Sequence, residues 1–359
     1  MNGGLIAVNK PQGVTSAQCL NQLKAIISDS PLAKYFRSPA PHPNDRNRRR
    51  RKKHSLDIKI GHGGTLDPLA SGVLVVGLGS GTKQLSKLLS CKKVYETVAL
   101  FGRSTDTYDS SGKIVESAEH VPTKEEIETA LPSFKGDIMQ MPPIYSALHV
   151  NGKRLYEYAR EGLPLPDSVK ARPMHCFDVE MTKFMSKGEH TYCDPDNFFE
   201  LEAAEEGAEE NKDSEKKNKQ GKKRKFNEVD LTRGTREPIG PAASFRLTVS
   251  SGFYVRSFVN DLGEKVNSKS HMVELVRLQQ GDFELNKPGC FSMEEFHSGE
   301  WLKKLADYFK LSLDDEDQKE KDASKENASI DSKVSETAET APDEAPVQED
   351  TKRSKTEHE

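Results

Sequence analysis

Apolar residues recur along the chain with the period of β-strands in several segments. Residues 4–10 and 93–102 alternate apolar and polar positions, and residues 72–78 form a continuous apolar run of strand length. Further alternation predicts strands at residues 174–184 and 245–249.

Segments whose apolar residues recur at helical spacing lie between these predicted strands. Leu20, Leu23 and Ile27 share one face of a helix that Thr15 or Ser16 can cap. Further helices are predicted at residues 82–90, 123–131, 154–161 and 255–266. Strands and short helices that alternate irregularly are typical of a mixed α/β (α+β) fold, so we expect a largely antiparallel sheet flanked by helices.

Three segments lack apolar periodicity and are rich in proline or charge. They cover about residues 30–59, about residues 186–241 and the acidic tail from residue 312. Such segments cannot bury enough apolar surface to offset the entropy of ordering them. We therefore predict one domain over residues 1–311, interrupted by two insertions, and a disordered tail over residues 312–359.

Charge is unevenly distributed along the chain. Residues 312–359 contain 16 acidic and 7 basic side chains, a balance of −9, whereas the whole chain carries −4. Residues 1–311 therefore carry +5, which permits an acidic partner such as nucleic acid without requiring one. The basic runs at residues 46–53 and 216–225 could contact phosphate, serve as nuclear-import signals or be solvated loops without a role.

The five cysteines are widely spaced and form no Cys-x-x-Cys pair, so neither a disulfide framework nor a zinc site is predicted. They indicate thiols in a reducing compartment. No apolar run approaches the roughly 18 residues that span a bilayer, and the N-terminus lacks the features of a secretory signal. We expect a soluble protein of the nucleus, the cytoplasm or the mitochondrion, with no metal site and no membrane partner.

Glycines are dense between residues 61 and 81 but form no nucleotide-binding motif. Gly81 is followed by Thr82 and Lys83, the reverse of the Walker order. Gly77, Gly79 and Gly81 are spaced by two residues throughout, which is not the Rossmann pattern. Tight turns around a buried strand explain these glycines better.

Asp67 is the first candidate for chemistry. Pro68 biases Asp67 away from the helical conformation, which places its carboxylate on an extended or turn segment. Gly63 and Gly64 let a ligand approach the backbone closely, and His62 adds a polar ring that can stack. An Asp-Pro pair is also an ordinary turn, so a catalytic role requires other groups to converge on this carboxylate.

Two other segments carry side chains that could converge on Asp67. Tyr95 lies on a predicted strand after two lysines, a pattern suited to stacking a base and holding a phosphate, but also that of an ordinary strand tyrosine. Tyr254 and Arg256 lie at a predicted strand-to-helix junction. A guanidinium there could pair with a carboxylate or remain solvated.

Five segments, in this order, resemble the TruB family of RNA pseudouridine synthases. They are VNKPQG at residues 8–13, GHGGTLDPLASG at 61–72, KKVYETVALFGRSTDTYDSSG at 92–112, MPPIYSALHVNGKRLYEYARE at 141–161 and the segment 251–278. The resemblance spans nearly all the patterned sequence between residues 4 and 278. The insertions are similar to those of fungal-type, tRNA-acting members. The resemblance implies the family's catalytic domain over residues 1–311.

The resemblance also assigns roles to individual residues. Asp67 matches the catalytic aspartate, and Arg256 matches the arginine that pairs with it. Tyr95 matches the strand tyrosine that stacks on the target base and takes a proton. Tyr254 matches the aromatic beneath the base, and His62 the histidine that packs against the extruded nucleotide. The remaining matches are Gly63 and Leu275, which contact the substrate, and Lys10, which supports the site.

The implied reaction is an isomerisation that uses no cofactor. Uracil leaves C1′ of its ribose, turns and rejoins through C5. Asp67 attacks C1′, adds to C6 or assists loss of the C2′ proton, and the residues leave these three routes open. The base must leave its stack, which requires an aromatic platform and a snug pocket.

The implied substrate is a uridine in the T-arm of tRNA, with T-loop-like hairpins in mRNA as further substrates and no obligatory protein partner. Residues 281–311 are too few for the C-terminal RNA-binding domain of bacterial relatives, so the core would bind most of the tRNA. Two alternatives remain. One is a guide-dependent synthase of a nucleolar particle, whose relatives carry that domain and lysine-rich tails. The other is a tRNA-folding chaperone that does not need catalysis.

Overall fold

A central β-sheet positions the other elements of the protein. The computed structural model describes residues 3–37, 58–164, 166, 168–195 and 239–313, and those up to Leu311 belong to one compact unit. Within these ranges the strands are β1 (Gly3–Lys10), β2 (Ile60–His62), β3 (Ser71–Gly79), β4 (Lys93–Phe101), β5 (Arg103–Thr105), β6 (Ile114–Ser117), β7 (Gly136–Gln140), β8 (His149–Val150), β9 (Lys153–Arg154), β10 (Arg172–Met185), β11 (Ala242–Val249), β12 (Ser270–Gln280), β13 (Phe283–Glu284) and β14 (Cys290–Ser292). The α-helices are α1 (Ser16–Ser28), α2 (Ala33–Phe36), α3 (Leu85–Leu89), α4 (Lys124–Ala130), α5 (Leu155–Glu161), α6 (Val255–Lys265), α7 (Met293–Ser298) and α8 (Trp301–Phe309). No helix in these ranges is both long enough and apolar enough to cross a membrane.

Ten of the described strands form one mixed sheet. Its order is β14-β1-β3-β12-β4-β11-β10-β7, with β2 beside β3 and β13 beside β12. The β1–β14 and β3–β12 pairs are parallel, and the other neighbours are antiparallel. The predicted fold class, a largely antiparallel mixed sheet flanked by helices, is confirmed.

The main hydrophobic core combines residues of this sheet with residues of several helices, and α6 is one of them. Phe258 of α6 is fully buried, and its ring meets those of Phe245 in β11 and Phe134 edge-on, at centroid distances of 5.7 and 5.2 Å. Edge-on aromatic pairs add to the gain from apolar burial. This packing fixes the N-terminal end of α6 against the sheet.

Local capping signals define where two of the predicted helices begin. Thr15 caps α1, because its hydroxyl accepts the amide of Gln18 and the Gln18 side chain accepts the amide of Thr15. Ser16 turns inward instead and bonds the backbone of Leu66. α4 begins with a capping box too, because Thr123 and Glu126 each accept the other's backbone amide through their side chains.

The structure differs from the prediction in several stretches, and two of them adjoin β3. Residues 82–90 do not form one helix, because a 3-10 turn, Ser80–Gln84, precedes α3. The chain passes tightly against β1 there: a Cβ on Gly81 would lie 2.0 Å from the carbonyl oxygen of Gly4. The second difference is β12, a central strand in a stretch where no strand was predicted.

Parts of both predicted insertions belong to the folded core. Leu32, Phe36 and Ile58 are buried in it, and Tyr192 packs on a second small cluster around Leu100. The insertions are therefore shorter than the composition indicated. Their central parts, residues 38–57 and 196–238, and the predicted tail from residue 314 onward lie outside the described residues.

Candidate active site

An open cavity of about 320 Å³ lies where β4 and β12 meet the N-terminal end of α6. Its volume is in the range of small-ligand sites. Six of the predicted site residues line it: Gly63, Asp67, Tyr95, Tyr254, Arg256 and Leu275. The structure thus brings together side chains from distant parts of the chain.

The loop that carries Asp67 is anchored on both sides. The amide and the carbonyl of Leu66 bond Oγ of Ser16 at 2.9 and 3.0 Å. The carbonyl of Pro68 accepts the amide of Gly13 at 2.8 Å. The Asp67 side chain therefore starts from a fixed backbone, and 36% of it is exposed.

Arg256 pairs directly with Asp67, because its Nε lies 2.9 Å from Oδ2 of the carboxylate. Its Nη1 and Nη2 donate to the carbonyls of Thr107 and Tyr145, both at 2.9 Å. Only 5% of the Arg256 side chain is exposed. A planar guanidinium with three fixed partners cannot turn freely, so it orients the carboxylate.

A second carboxylate, Asp109, shares this guanidinium. Its Oδ2 lies 3.8 Å from Nε of Arg256, and its Oδ1 accepts the hydroxyl of Thr107 at 2.7 Å and the amide of Ser111 at 2.9 Å. Burial raises the pKa of Asp109, while Arg256 and these hydrogen bonds act in the opposite direction. Asp109 was not predicted from the sequence. Its one signal is its position inside the matched segment 92–112.

Two tyrosines and a leucine line the cavity from different elements. Tyr95 in β4 is buried and lies opposite Arg277 of β12 in the strand register. Tyr254 precedes α6, and the side-chain amide of Gln140 bonds both its amide and its carbonyl, at 2.7 and 2.9 Å. Leu275 in β12 is buried. Together they provide the aromatic and apolar surfaces on which a flat base can stack.

Lys10 lies beneath the loop that carries Asp67 and is fully buried. Its Nζ donates to the carbonyls of Pro11 and Val14 at 2.8 and 2.6 Å, and to that of Pro68 at 3.5 Å. Burial lowers the pKa of Lys10 to about 8. Lys10 does not line the cavity, so it holds the loop from below instead of contacting a ligand there.

His62 and Gly63 differ in their position relative to the cavity. Gly63 lines the cavity, and a Cβ there would lie 3.2 Å from Leu88, which leaves little room for a side chain. His62 ends β2 and is not among the lining residues. Burial lowers the pKa of its ring. The stacking role of His62 therefore stays a prediction.

Arg277 lines the cavity and Gln280 lies nearby on the same strand, and neither residue was predicted from the sequence. Arg277 is buried; its Nε donates to the carbonyl of Val73 at 2.6 Å and its Nη2 to that of Gly64 at 3.1 Å. Nε2 of Gln280 donates to the carbonyl of Gly63 at 2.7 Å. The two side chains hold the glycine segment that leads into the catalytic loop. Arg277 lies inside the matched segment 251–278, which was its only signal.

The described residues contain no group of three or more His, Cys, Asp or Glu side chains that could hold a metal ion. The five cysteines are free thiols, and burial raises the pKa of Cys19 and Cys176 to about 11. A protonated, buried thiol is a poor nucleophile. Asp67, Arg256 and the two tyrosines stay the predicted reactive groups at the cavity.

The fold is thus a mixed sheet that presents an ion-paired carboxylate and two tyrosines in one open cavity. The model of the TruB family pseudouridylate synthase N-terminal domain matches residues 49–196. The tRNA pseudouridine synthase 4 of Schizosaccharomyces pombe is 57% identical over 354 residues, covering 87% of each chain. The tRNA pseudouridine synthase 4 of Saccharomyces cerevisiae is 35% identical over 328 residues, covering 82% of this chain and 80% of the Saccharomyces cerevisiae chain. The chain belongs to the TruB family of pseudouridylate synthases, as its five motifs indicated.

Proposed function

We propose that this protein converts a uridine in the T-arm of tRNA to pseudouridine without a guide RNA. The observation that carries the proposal is the Asp67–Arg256 pair in a cavity lined by Tyr95 and Tyr254. Membership of the TruB family supplies the reaction, and the names of the two yeast relatives support tRNA as the substrate. T-loop-like hairpins in mRNA are proposed as further substrates.

The proposed reaction exchanges one bond of the base for another. The N1–C1′ bond breaks and a C5–C1′ bond forms, C5 loses its proton and N1 gains one, so atoms and electrons balance. The partly exposed carboxylate of Asp67 can attack C1′, add to C6 of the ring or assist loss of the C2′ proton. In each route Arg256 fixes the orientation of the Asp67 carboxylate, and this lowers the entropy lost on reaching the transition state.

Tyr95, Tyr254 and Leu275 receive the base after it leaves its stack. Extrusion of a nucleotide costs a few kcal/mol, and stacking on an aromatic side chain returns about 1–3 kcal/mol per base. The two tyrosines can therefore offset most of that cost. The phenol of Tyr95 lies in the cavity lining, where we assign it a proton-transfer step.

Incubation of the purified full-length protein with an unmodified tRNA transcript and no other RNA tests the proposal. Pseudouridine mapping should show a product in the T-arm. Asp67→Asn should lower the rate at least about 10³-fold and leave tRNA affinity within about threefold of wild type. Asp137→Asn, a carboxylate on β7 that is 92% exposed, is the matched control and should keep the wild-type rate.

The same experiment separates the alternatives. A guide-dependent synthase would form no product until a guide RNA is added. A tRNA-folding chaperone would keep its folding activity in Asp67→Asn, and a protein with both activities would lose the modification alone. No product from the wild-type protein on folded tRNA, or full activity of Asp67→Asn, would contradict the proposal.

A further inference from the structure

A buried polar cluster lies outside the catalytic cavity. It consists of the side chains of Asp194, of Arg103 in β5 and of His271 in β12. We call it the Asp194 cluster. Asp194 lies in the first part of the second predicted insertion, and only 4% of it is exposed. Its Oδ2 lies 2.6 Å from Nη1 of Arg103. None of the three residues lines the cavity, so the cluster does not meet the reacting base there.

His271 is the fully buried member of the cluster. Its Nδ1 lies 2.9 Å from the carbonyl oxygen of Arg103, and Nδ1 carries the hydrogen because a carbonyl only accepts. Nε2 of His271 and Oδ1 of Asp194 are both buried. Neither atom has a hydrogen-bond partner among the described residues. Burial lowers the pKa of His271, whereas the Arg103 carbonyl and the charges of Asp194 and Asp109 act in the opposite direction. Buried polar atoms of this kind are rare and call for an explanation.

His271 is linked by main-chain hydrogen bonds to the turn that carries Asp109. The next residue, Met272, donates its amide to the carbonyl of Tyr108 at 3.0 Å and accepts the amide of Ser110 at 2.9 Å. Tyr108 has φ +63°, a conformation that bulky residues rarely adopt. Such a strained turn persists only where its surroundings hold it in place.

Arg103 reaches the same turn from the other side. It belongs to the short strand β5 that ends at Thr105, whose hydroxyl donates to the carbonyl of Asp109 at 2.8 Å. Asp109 in turn shares the guanidinium of Arg256 with Asp67. A continuous set of contacts therefore joins the cluster to the catalytic carboxylate.

We propose that Asp194 is a positioning residue of the catalytic site. Its carboxylate pairs with Arg103, whose carbonyl accepts Nδ1 of His271. The strands of Arg103 and His271 hold the strained turn from two sides, and the turn holds Asp109 against Arg256. Loss of the Asp194 charge lets the turn relax and misaligns the catalytic carboxylate, with no direct effect on RNA. The inference rests on the proposed function and connects the base of the second insertion to the chemistry.

Asp194→Asn tests the proposal because it keeps the side-chain volume and removes the charge. We expect the single-turnover rate at saturating tRNA to fall about 10-fold, with the dissociation constant for tRNA within about twofold of wild type. A wild-type rate would overturn the proposal. If thermal unfolding shows that Asp194→Asn does not fold, Arg103→Lys, which keeps the charge but not the paired geometry, takes its place.

Glu274→Gln is the matched control. Glu274 accepts the hydroxyl of Tyr192 at 2.9 Å, so it anchors the same segment, and none of the described hydrogen bonds joins its side chain to the Asp194 cluster. This variant should keep the wild-type rate. An equal loss in Glu274→Gln would mean that the segment acts only through general stability, and would overturn the proposal.

A double-mutant cycle tests whether the effect passes through Asp109. Asp194→Asn should add little to the loss caused by Asp109→Asn, because both changes act on the same turn. Losses that multiply would show that the two residues act independently, and would also overturn the proposal.

Hydrogen exchange distinguishes failure of this inference from failure of the proposed function, since it needs no turnover. The amides of residues 105–111 in the full-length protein should exchange about 10-fold faster in Asp194→Asn, with global unfolding unchanged. Unchanged exchange would overturn the inference even in an active enzyme. Faster exchange in a protein that does not modify tRNA would support the link to the turn and contradict only the proposed function.

Discussion

Nε of Arg256 lies 2.9 Å from Oδ2 of Asp67, and the two side chains differ in exposure, at 5% and 36%. The cation is therefore fixed inside the protein while the carboxylate faces the cavity. Such a pair orients a reacting group without covering it, which is how positioning contributes to catalysis.

Arg256→Lys should remove most of the activity. One ammonium group cannot serve Asp67 and the carbonyls of Thr107 and Tyr145 together, as the guanidinium does. We expect the single-turnover rate to fall about 10²-fold or more, with tRNA affinity nearly unchanged in filter binding. Arg246→Lys, at an exposed position of β11, should keep the wild-type rate. A loss of less than about threefold in Arg256→Lys would be inconsistent with the role assigned to this pair.

Asp109 should matter for both rate and stability. Asp109→Asn keeps the shape of the side chain but removes the second charge beside Arg256, so the rate should fall about 10-fold or more. Asp109→Ala also leaves the hydroxyl of Thr107 and the amide of Ser111 without their acceptor. Its free energy of unfolding should drop by about 1–3 kcal/mol in urea titrations. Equal stability of the Ala and wild-type proteins would show that these hydrogen bonds contribute nothing.

α6 and β12 show which parts of the fold are accessible from sequence. Phe258 and Leu262 recur at helical spacing and are fully buried in α6, so the apolar pattern alone predicts the helix. The buried face of β12 carries Arg277 and Gln280, which bond backbone carbonyls of distant segments. Those partners exist only after folding, so the strand shows no clear alternation of apolar residues.

The candidate site divides in the same way. Asp67, Tyr95 and Tyr254 lie in family motifs, and the structure brings them to one cavity. Asp109 lies among serines and threonines that are typical of a turn, and only the fold shows that it reaches the arginine. Asp194 falls where composition indicated an insertion, yet it is buried against the core.

Tyr95 allows stacking and proton transfer to be tested separately. Tyr95→Phe keeps the ring, so tRNA affinity should stay within about twofold, while the rate should fall about 10²-fold because the phenol is lost. Tyr95→Leu also removes the ring and should cost a further 1–3 kcal/mol, or about 5- to 150-fold in affinity. Tyr308→Phe on α8 is the control, because this tyrosine is 42% exposed. It should keep the wild-type rate and tRNA affinity. A wild-type rate in Tyr95→Phe would exclude the hydroxyl from the chemistry.

Lys10 should make the stability of the protein depend on pH. Burial lowers its pKa from 10.5 to about 8 in the folded state. Between these values the unfolded chain binds more protons than the folded protein, so stability rises with pH across this window. Below about pH 8 both states are protonated, and the full cost of burying the charge is present.

Lys10→Met removes the titrating group while keeping a side chain of similar length. Between pH 8 and pH 10 the free energy of unfolding of the wild type should rise by about 2 kcal/mol relative to Lys10→Met, because other titrating groups cancel in the difference. Urea unfolding of both proteins at the two pH values measures it. Lys303→Met, at an exposed position of α8, should follow the wild type. Parallel pH curves for wild type and Lys10→Met would contradict the lowered pKa of a Lys10 buried beneath the loop that carries Asp67.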